Sequence, residues 1–126
     1  MRGVVVSGIL FLIVIIFCIY SGASLEKVGK ETYYILNEIE DNVQEENWDM
    51  ASENIIRLQN KWEKDIKWIT VLIDHRETDE INQTLSALEE YIDYREVPEL
   101  MATAATLMQM FEHIPLKERL IIENIF

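Results

Sequence analysis

Residues Val4 to Tyr20 read VVVSGILFLIVIIFCIY, a run without a single charge. Extended to Ala23 it reaches about twenty residues, and a helix of that length spans about 30 Å, the thickness of a bilayer's hydrocarbon core. A core helix of a soluble domain keeps a polar stripe facing water. This run has none, so it calls for lipid on every side or for removal. Removal as a signal peptide has one point in its favour, the small residues Ser21-Gly22-Ala23. Against it, the run exceeds the usual apolar stretch of about 7–15 residues in a signal peptide. Arg2 is moreover the only basic side chain ahead of it. The expectation is an uncleaved transmembrane anchor over residues 1–23, with the membrane engaged through residues 4–23.

The one cysteine, Cys18, lies inside the run, so no disulfide forms within the chain. Ile15-Ile16-Phe17 before it lacks the small residues that lipoprotein processing needs; Cys18 reads as a lipid-facing or packing residue, with palmitoylation the lesser alternative. Gly3, Ser7 and Gly8 are small enough to let a second helix approach the span. Arg2 and the amino terminus lie on one side of the span, Lys27 and Lys30 on the other among Glu26 and Glu31. A short N-terminal tail stays inside, and a signal-anchor exports the chain on its C-terminal side. The expected location is therefore the cell membrane, single-pass, with the remainder of the chain extracytoplasmic.

That remainder is acidic. The chain carries −12 overall, and Arg2 is its only charge before Glu26; the rest carries −13, from 10 basic and 23 acidic side chains. Such a body repels phosphate backbones and anionic headgroups, and no basic stripe compensates. Nucleic acid is excluded as a partner on that ground. Four Gly and two Pro are few, and the prevalence of Leu, Ile, Glu, Lys, Met and Ala favours helix.

Four amphipathic stretches come after the anchor. The first runs from about 24 to 44, with Leu25, Val28, Thr32, Ile35, Leu36, Ile39 and Val43 at three-four spacing. Gly22 and Gly29 give it a possible hinge to the span. The second runs from about 48 to 73 with Ala51, Ile55, Leu58, Trp62, Ile66, Ile69 and Ile73 as its stripe, and Asn47 is placed to cap it. The third, about 77 to 94, carries Ile81, Leu85, Leu88 and Ile92; Asp74 and Glu77 have the spacing of a capping box. The fourth starts at Pro98 and carries Met101, Ala104, Ala105, Leu107, Met108 and Phe111. Pro115 is expected to end it, because proline biases the preceding Ile114 away from helix.

A shift of 49 residues sets Leu36, Ile39, Val43, Trp48, Ala51, Ile55, Leu58 and Trp62 on Leu85, Leu88, Ile92, Val97, Leu100, Ala104, Leu107 and Phe111, all apolar. Two similar helical hairpins are implied. The expected fold is all-α: an N-terminal transmembrane helix followed by an antiparallel up-down four-helix bundle made of two helical hairpins. The bundle would occupy residues 24–114 and an apolar C-terminal tail residues 115–126. Leu120, Ile121, Ile122, Ile125 and Phe126 in that tail either pack on the bundle or meet lipid or a partner.

Signals for chemistry are thin. His75 and His113 are read as closing the second and fourth helices, at one end of the bundle, with Asp74, Glu77, Asp79 and Glu112 nearby in sequence. Two imidazoles with carboxylates can ligate a divalent metal, but the spacing matches no ligand motif, and histidine at a helix C-terminus is explained by the dipole and by capping. The acidic pairs Glu45-Glu46, Asp79-Glu80 and Glu89-Glu90 point in different directions on a helix and read as solvated faces. There is no Gly-x-Ser-x-Gly, no cysteine in the body and no Gly-rich phosphate loop. No catalytic residue and no cofactor is expected. Trp48 and Trp62 lie on the apolar stripe of the second helix. Trp68 lies about 240° round from Trp62, where it either lies across a groove edge or meets a partner. Met101, Met108 and Met110 read as core filling with some capacity to adapt. The partner-contact candidates are Trp68, Ile121, Ile122, Ile125 and Phe126.

Four features resemble the bacterial family called domain of unknown function 4363. They are the apolar head after Met1-Arg2-Gly3, the stretch from Trp48 to Trp62-Glu63-Lys64, the Ile73-Asp74-His75 turn, and the closing Glu112-His113-Ile114-Pro115 with Glu123-Asn124-Ile125-Phe126. The resemblance covers essentially the whole chain. It implies a small single-span membrane protein of spore-forming Gram-positive bacteria, with no activity assigned. It also implies a multi-span membrane protein as neighbour and possible partner. The functional expectation is a non-enzymatic interaction or accessory module of a membrane-protein complex. The alternatives are an extracytoplasmic sensor or ligand-binding bundle and, behind it, a metal-binding protein. Self-association is left open.

Overall fold

The computed structural model describes the backbone of residues 1–125 and the side chains of residues 1–71 and 73–113. Within these limits the chain is four helices: α1 (Arg2–Gln44), α2 (Trp48–Leu72), α3 (His75–Asp93) and α4 (Val97–Ile125). Links of two or three residues join them, so successive helices run antiparallel. α1 packs against α2 and α4, and α3 packs against the same two, which gives a square up-down bundle.

The expected stripes are the core. Leu25, Val28, Ile35, Leu36, Ile39 and Val43 of α1 are buried against Ala51, Ile55, Leu58, Trp62 and Ile69 of α2, Ile81, Leu85, Leu88 and Ile92 of α3, and Leu100, Ala104, Leu107 and Phe111 of α4. Thr32 is buried with them, whereas Ile66, Ile73, Met101 and Met108 are only half-covered and Ala105 is exposed. Trp62 sits near the middle. Its ring meets Phe111 edge-on at 5.4 Å, and its Nε1 donates to Asn82 Oδ1 at 2.6 Å. The indole thus buries its apolar body while its one donor is satisfied.

Three helix boundaries differ from expectation. First, α1 does not break between the span and the body. It is one helix of 43 residues, about 65 Å long at 1.5 Å per residue. Neither Gly22 nor Gly29 has a positive φ. Ser21, Leu25 and Val28 are all buried on one side, so the packed stripe carries the helix through the glycines. Second, α3 begins at His75, because Asp74 caps it by accepting from the Arg76 N–H at 3.1 Å. His75 therefore opens a helix rather than closing one. Third, α4 continues through Pro115 to Ile125, and His113 lies within it. The bias on the residue before a proline is local, and the continuing helix overrides it at the loss of one backbone bond, the one to the carbonyl four residues back. That carbonyl belongs to Phe111. A methyl group added at Gly29 would lie 3.4 Å from its oxygen, so the absent side chain at Gly29 lets α1 come close at this point.

The 49-residue repeat extends to the backbone. In the α1–α2 turn, Asn47 N donates to Asn42 O and Glu46 N to Val43 O. In the α3–α4 turn, Glu96 N donates to Tyr91 O and Arg95 N to Ile92 O. Each pair is a Schellman closure, and each turn carries one non-glycine residue in the left-handed region, Glu46 at φ 60° and Arg95 at φ 55°. These positions are 49 apart, as are the starts of α2 and α4. Trp62 and Phe111, which touch across the bundle, are a repeat pair as well.

Candidate functional site

The apolar half of α1 is long and apolar enough to cross a membrane, and none of it is buried in the chain itself. From Val4 to Tyr20 its large side chains stand open, apart from Ile15 and Cys18, which are half-covered. Further along the same helix, Ser21 and Leu25 are buried. The change from an all-round apolar surface to a packed core therefore takes place within about one helical turn.

At that junction α1 and α2 enclose a groove of about 550 Å³. Phe17, Tyr20, Ser21, Ser24, Lys27, Val28 and Glu31 line it from α1, and Asp65, Trp68 and Val71 from α2. The α1 residues recur at three- and four-residue spacing, so they form one stripe along the helix. The stripe is aromatic at the end that joins the span and charged at the other. Tyr20 is 72% and Val71 78% exposed at the mouth, whereas the Ser21 floor is 3% exposed.

The charged end is an ion-pair chain. Lys61 Nζ lies 2.6 Å from Asp65 Oδ2 and 3.2 Å from Glu31 Oε2, and Lys27 Nζ lies 3.9 Å from Glu31 Oε1. The Lys61 and Asp65 side chains are largely covered, while Lys27 is 78% exposed and its contact with Glu31 is long. Lys61 thus holds the two carboxylates together across α1 and α2, and Lys27 keeps donors directed to solvent at the rim.

The residues singled out from sequence do not gather at one place. Trp68 is half-buried against the core and forms a wall of the groove. His75 is exposed at the start of α3, its carbonyl accepting from Thr78 Oγ1 at 2.8 Å. His113 is exposed on α4. Among the described residues no three His, Cys, Asp or Glu side chains are grouped so as to hold a metal ion. The side chains of Ile121 and Ile122, that of Ile125, and all of Phe126 lie outside the described residues. The sequence reading missed the groove, because it ended one helix near Ala23 and started another at Ser24. Read as one helix, Phe17, Tyr20, Ser24, Lys27 and Glu31 show their common face.

One further buried polar group stands apart from the groove. Asn54 on α2 is 4% exposed, and its Nδ2 has no hydrogen-bond partner among the described residues. An unmade bond of this kind costs about 1–3 kcal/mol.

A profile of the family described as Domain of unknown function (DUF4363) matches residues 19–125. The match takes in the bundle and all of the groove lining but Phe17, and only the end of the apolar run, so the likeness is carried by the body rather than by the head. Neither a curated protein nor a solved structure matches the chain.

Proposed function

We propose, from the premise that this chain belongs to the domain of unknown function 4363 family, that it is a non-enzymatic, membrane-tethered module acting through its helix faces in a membrane-protein complex. The observation that carries the reading is the contrast along α1. One end is apolar and open on all sides, and the other is the central wall of a packed bundle, with no break between them. A helix built this way fixes a folded body to a lipid sheet. Retention of the N-terminal segment is supported by Ser21, which lies within the small-residue stretch that a signal peptidase would read and is buried in the bundle. The matched region also begins at residue 19, before that stretch ends. In this reading the N-terminus stays inside and the acidic body lies outside.

The test begins with the full chain carrying a C-terminal tag. It should resist alkaline extraction from membranes and keep the intact mass from Met1, and the tag should be open to protease added outside the cell. A freely soluble product beginning near Ser24 would remove the tether. Isolation in mild detergent should then bring down a stoichiometric multi-span membrane protein. Elution as a lone monomer would count against the accessory role. A second reading, a sensor or ligand-binding bundle, draws on the groove between α1 and α2.

A further inference from the structure

We infer that the end of α4, from Leu120 onward, enters the leaflet on the body's side next to the apolar run of α1, so that the chain meets the hydrocarbon through two helices instead of one. The inference rests on the membrane reading above, because that reading places Tyr20 at the boundary.

Register sets the depth. α4 packs antiparallel to α1, and the two backbones come close where Gly29 faces the Phe111 carbonyl. Each residue of α4 past Phe111 therefore descends beside one residue of α1 ahead of Gly29. Leu120 comes level with Tyr20, and Ile125, the last residue of α4, lies about 8 Å lower, near the level of Ile15. α2 and α3 do not go so far. The ion pair of Lys61 with Glu31 sets the register of α2 on α1. By it Leu72, where α2 ends, is level with Tyr20. α3 starts at His75 and runs back the other way. Below Tyr20, α4 has α1 on one side and no further helix among the described residues to pack on.

Coverage and sequence bear on the same level independently. Ile15 and Cys18 are half-covered, while the other large side chains from Val4 to Tyr20 are more than half exposed. The two stand three residues apart, in line with the buried Ser21 and Leu25. Cover for that face, at that depth, falls to α4, the one neighbouring helix whose backbone reaches it. The sequence of α4 also changes character where that of α1 does. Lys117-Glu118-Arg119 stand just above the level of Tyr20, and Leu120-Ile121-Ile122 follow at and below it. Basic side chains are favoured at such a boundary. Glu123 is the one charge from Leu120 to Ile125, and it lies only about 5 Å below Tyr20. A penetration of about 5–10 Å is that of an interfacial helix at the junction of headgroups and acyl chains.

The test uses the full chain with Cys18→Ala, reconstituted in vesicles of palmitoyl-oleoyl phosphatidylcholine that contain a lipid spin-labelled near the top of its acyl chain. Ile121→Cys, Ile122→Cys, Glu123→Cys and Asn124→Cys each carry one nitrobenzoxadiazole fluorophore, and four successive positions sample every side of a helix. Ile19→Cys, on the apolar run, serves as the reference in lipid, and Thr106→Cys, exposed on α4, as the reference in water. At least two of the four labels should be quenched by the spin-labelled lipid to within about twofold of the label at residue 19, and about fivefold or more above the label at residue 106. Iodide in the water should give the reverse order. Lipid quenching at all four no greater than at residue 106 overturns the inference. Four labels that neither quencher reaches overturn it as well, since the segment would then be enclosed by protein. If the label at residue 19 also escapes the lipid quencher, the membrane reading itself fails; quenching there with none at the four defeats this inference alone.

Discussion

At the scale of single residues, the two hairpin turns contain the clearest local cost. Glu46 and Arg95 hold φ values of 60° and 55° at the position after a helix where glycine is favoured. A side chain there costs about 1 kcal/mol relative to glycine. Glu46→Gly should therefore raise stability by about 1 kcal/mol in chemical denaturation. Arg95→Gly should gain much less, because Arg95 also lies over the Trp48 ring at 5.6 Å, a cation–π contact of about 0.5–1 kcal/mol at an exposed site. Glu40 gives a second prediction. Partial burial, and secondarily the neighbouring Asp41 carboxylate, push its pKa above the ordinary 4.5. A carboxyl whose pKa is higher in the folded state takes up a proton on folding between the two values. It opposes stability above the raised pKa, and the opposition fades as pH falls through that value and is gone below the unfolded one. Glu40→Gln should raise the melting temperature at pH 7, and the gain should vanish by about pH 4.

At the scale of elements, the continuity of α1 can be probed at its two glycines. A methyl group at Gly22 would meet no neighbour within 4 Å, whereas at Gly29 it would face the Phe111 carbonyl oxygen at 3.4 Å. Gly22→Ala should stabilise the helix by up to about 1 kcal/mol, and Gly29→Ala should return less of that or none. Thermal melts of the two variants side by side would show it; equal gains would mean that α1 and α4 are not as close as described. This pair also shows what the sequence could and could not convey. The apolar stripes were readable, because burial follows helical period: every stripe residue of α3 and nearly every one of α1 and α2 is in the core. The two glycines and Pro115 misled, because each acts on backbone preference within a turn, and contacts from other helices outweigh a preference of that size. The groove was hidden for the same reason, since its lining crosses the presumed break. The turns were hidden differently: their left-handed positions are filled by Glu and Arg, and nothing in those letters signals the conformation.

At the scale of the whole molecule, the two hairpins are copies of one plan, joined where Trp62 meets its repeat counterpart Phe111. Removing either ring should cost about 3–5 kcal/mol. A double-mutant cycle between Trp62→Ala and Phe111→Ala should return a coupling of about 0.5–1.5 kcal/mol. With the halves coupled through the centre, unfolding should be one transition by both far-ultraviolet and tryptophan signals. Two separated transitions would mean that the hairpins stand independently.

The unbroken α1 has a mechanical consequence. Spans in a bilayer sit at a range of inclinations that respond to membrane thickness and to neighbouring helices. A chain with a swivel at the water boundary would absorb such a change locally. Here the shaft is stiff from Arg2 to Gln44, so the part beyond Ser21, about 35 Å long, acts as a lever arm. A reorientation of about 10° in the lipid would carry the far turn sideways by about 6 Å. Under the proposed tether, a change in the thickness of the sheet would be felt as displacement of the outermost loops.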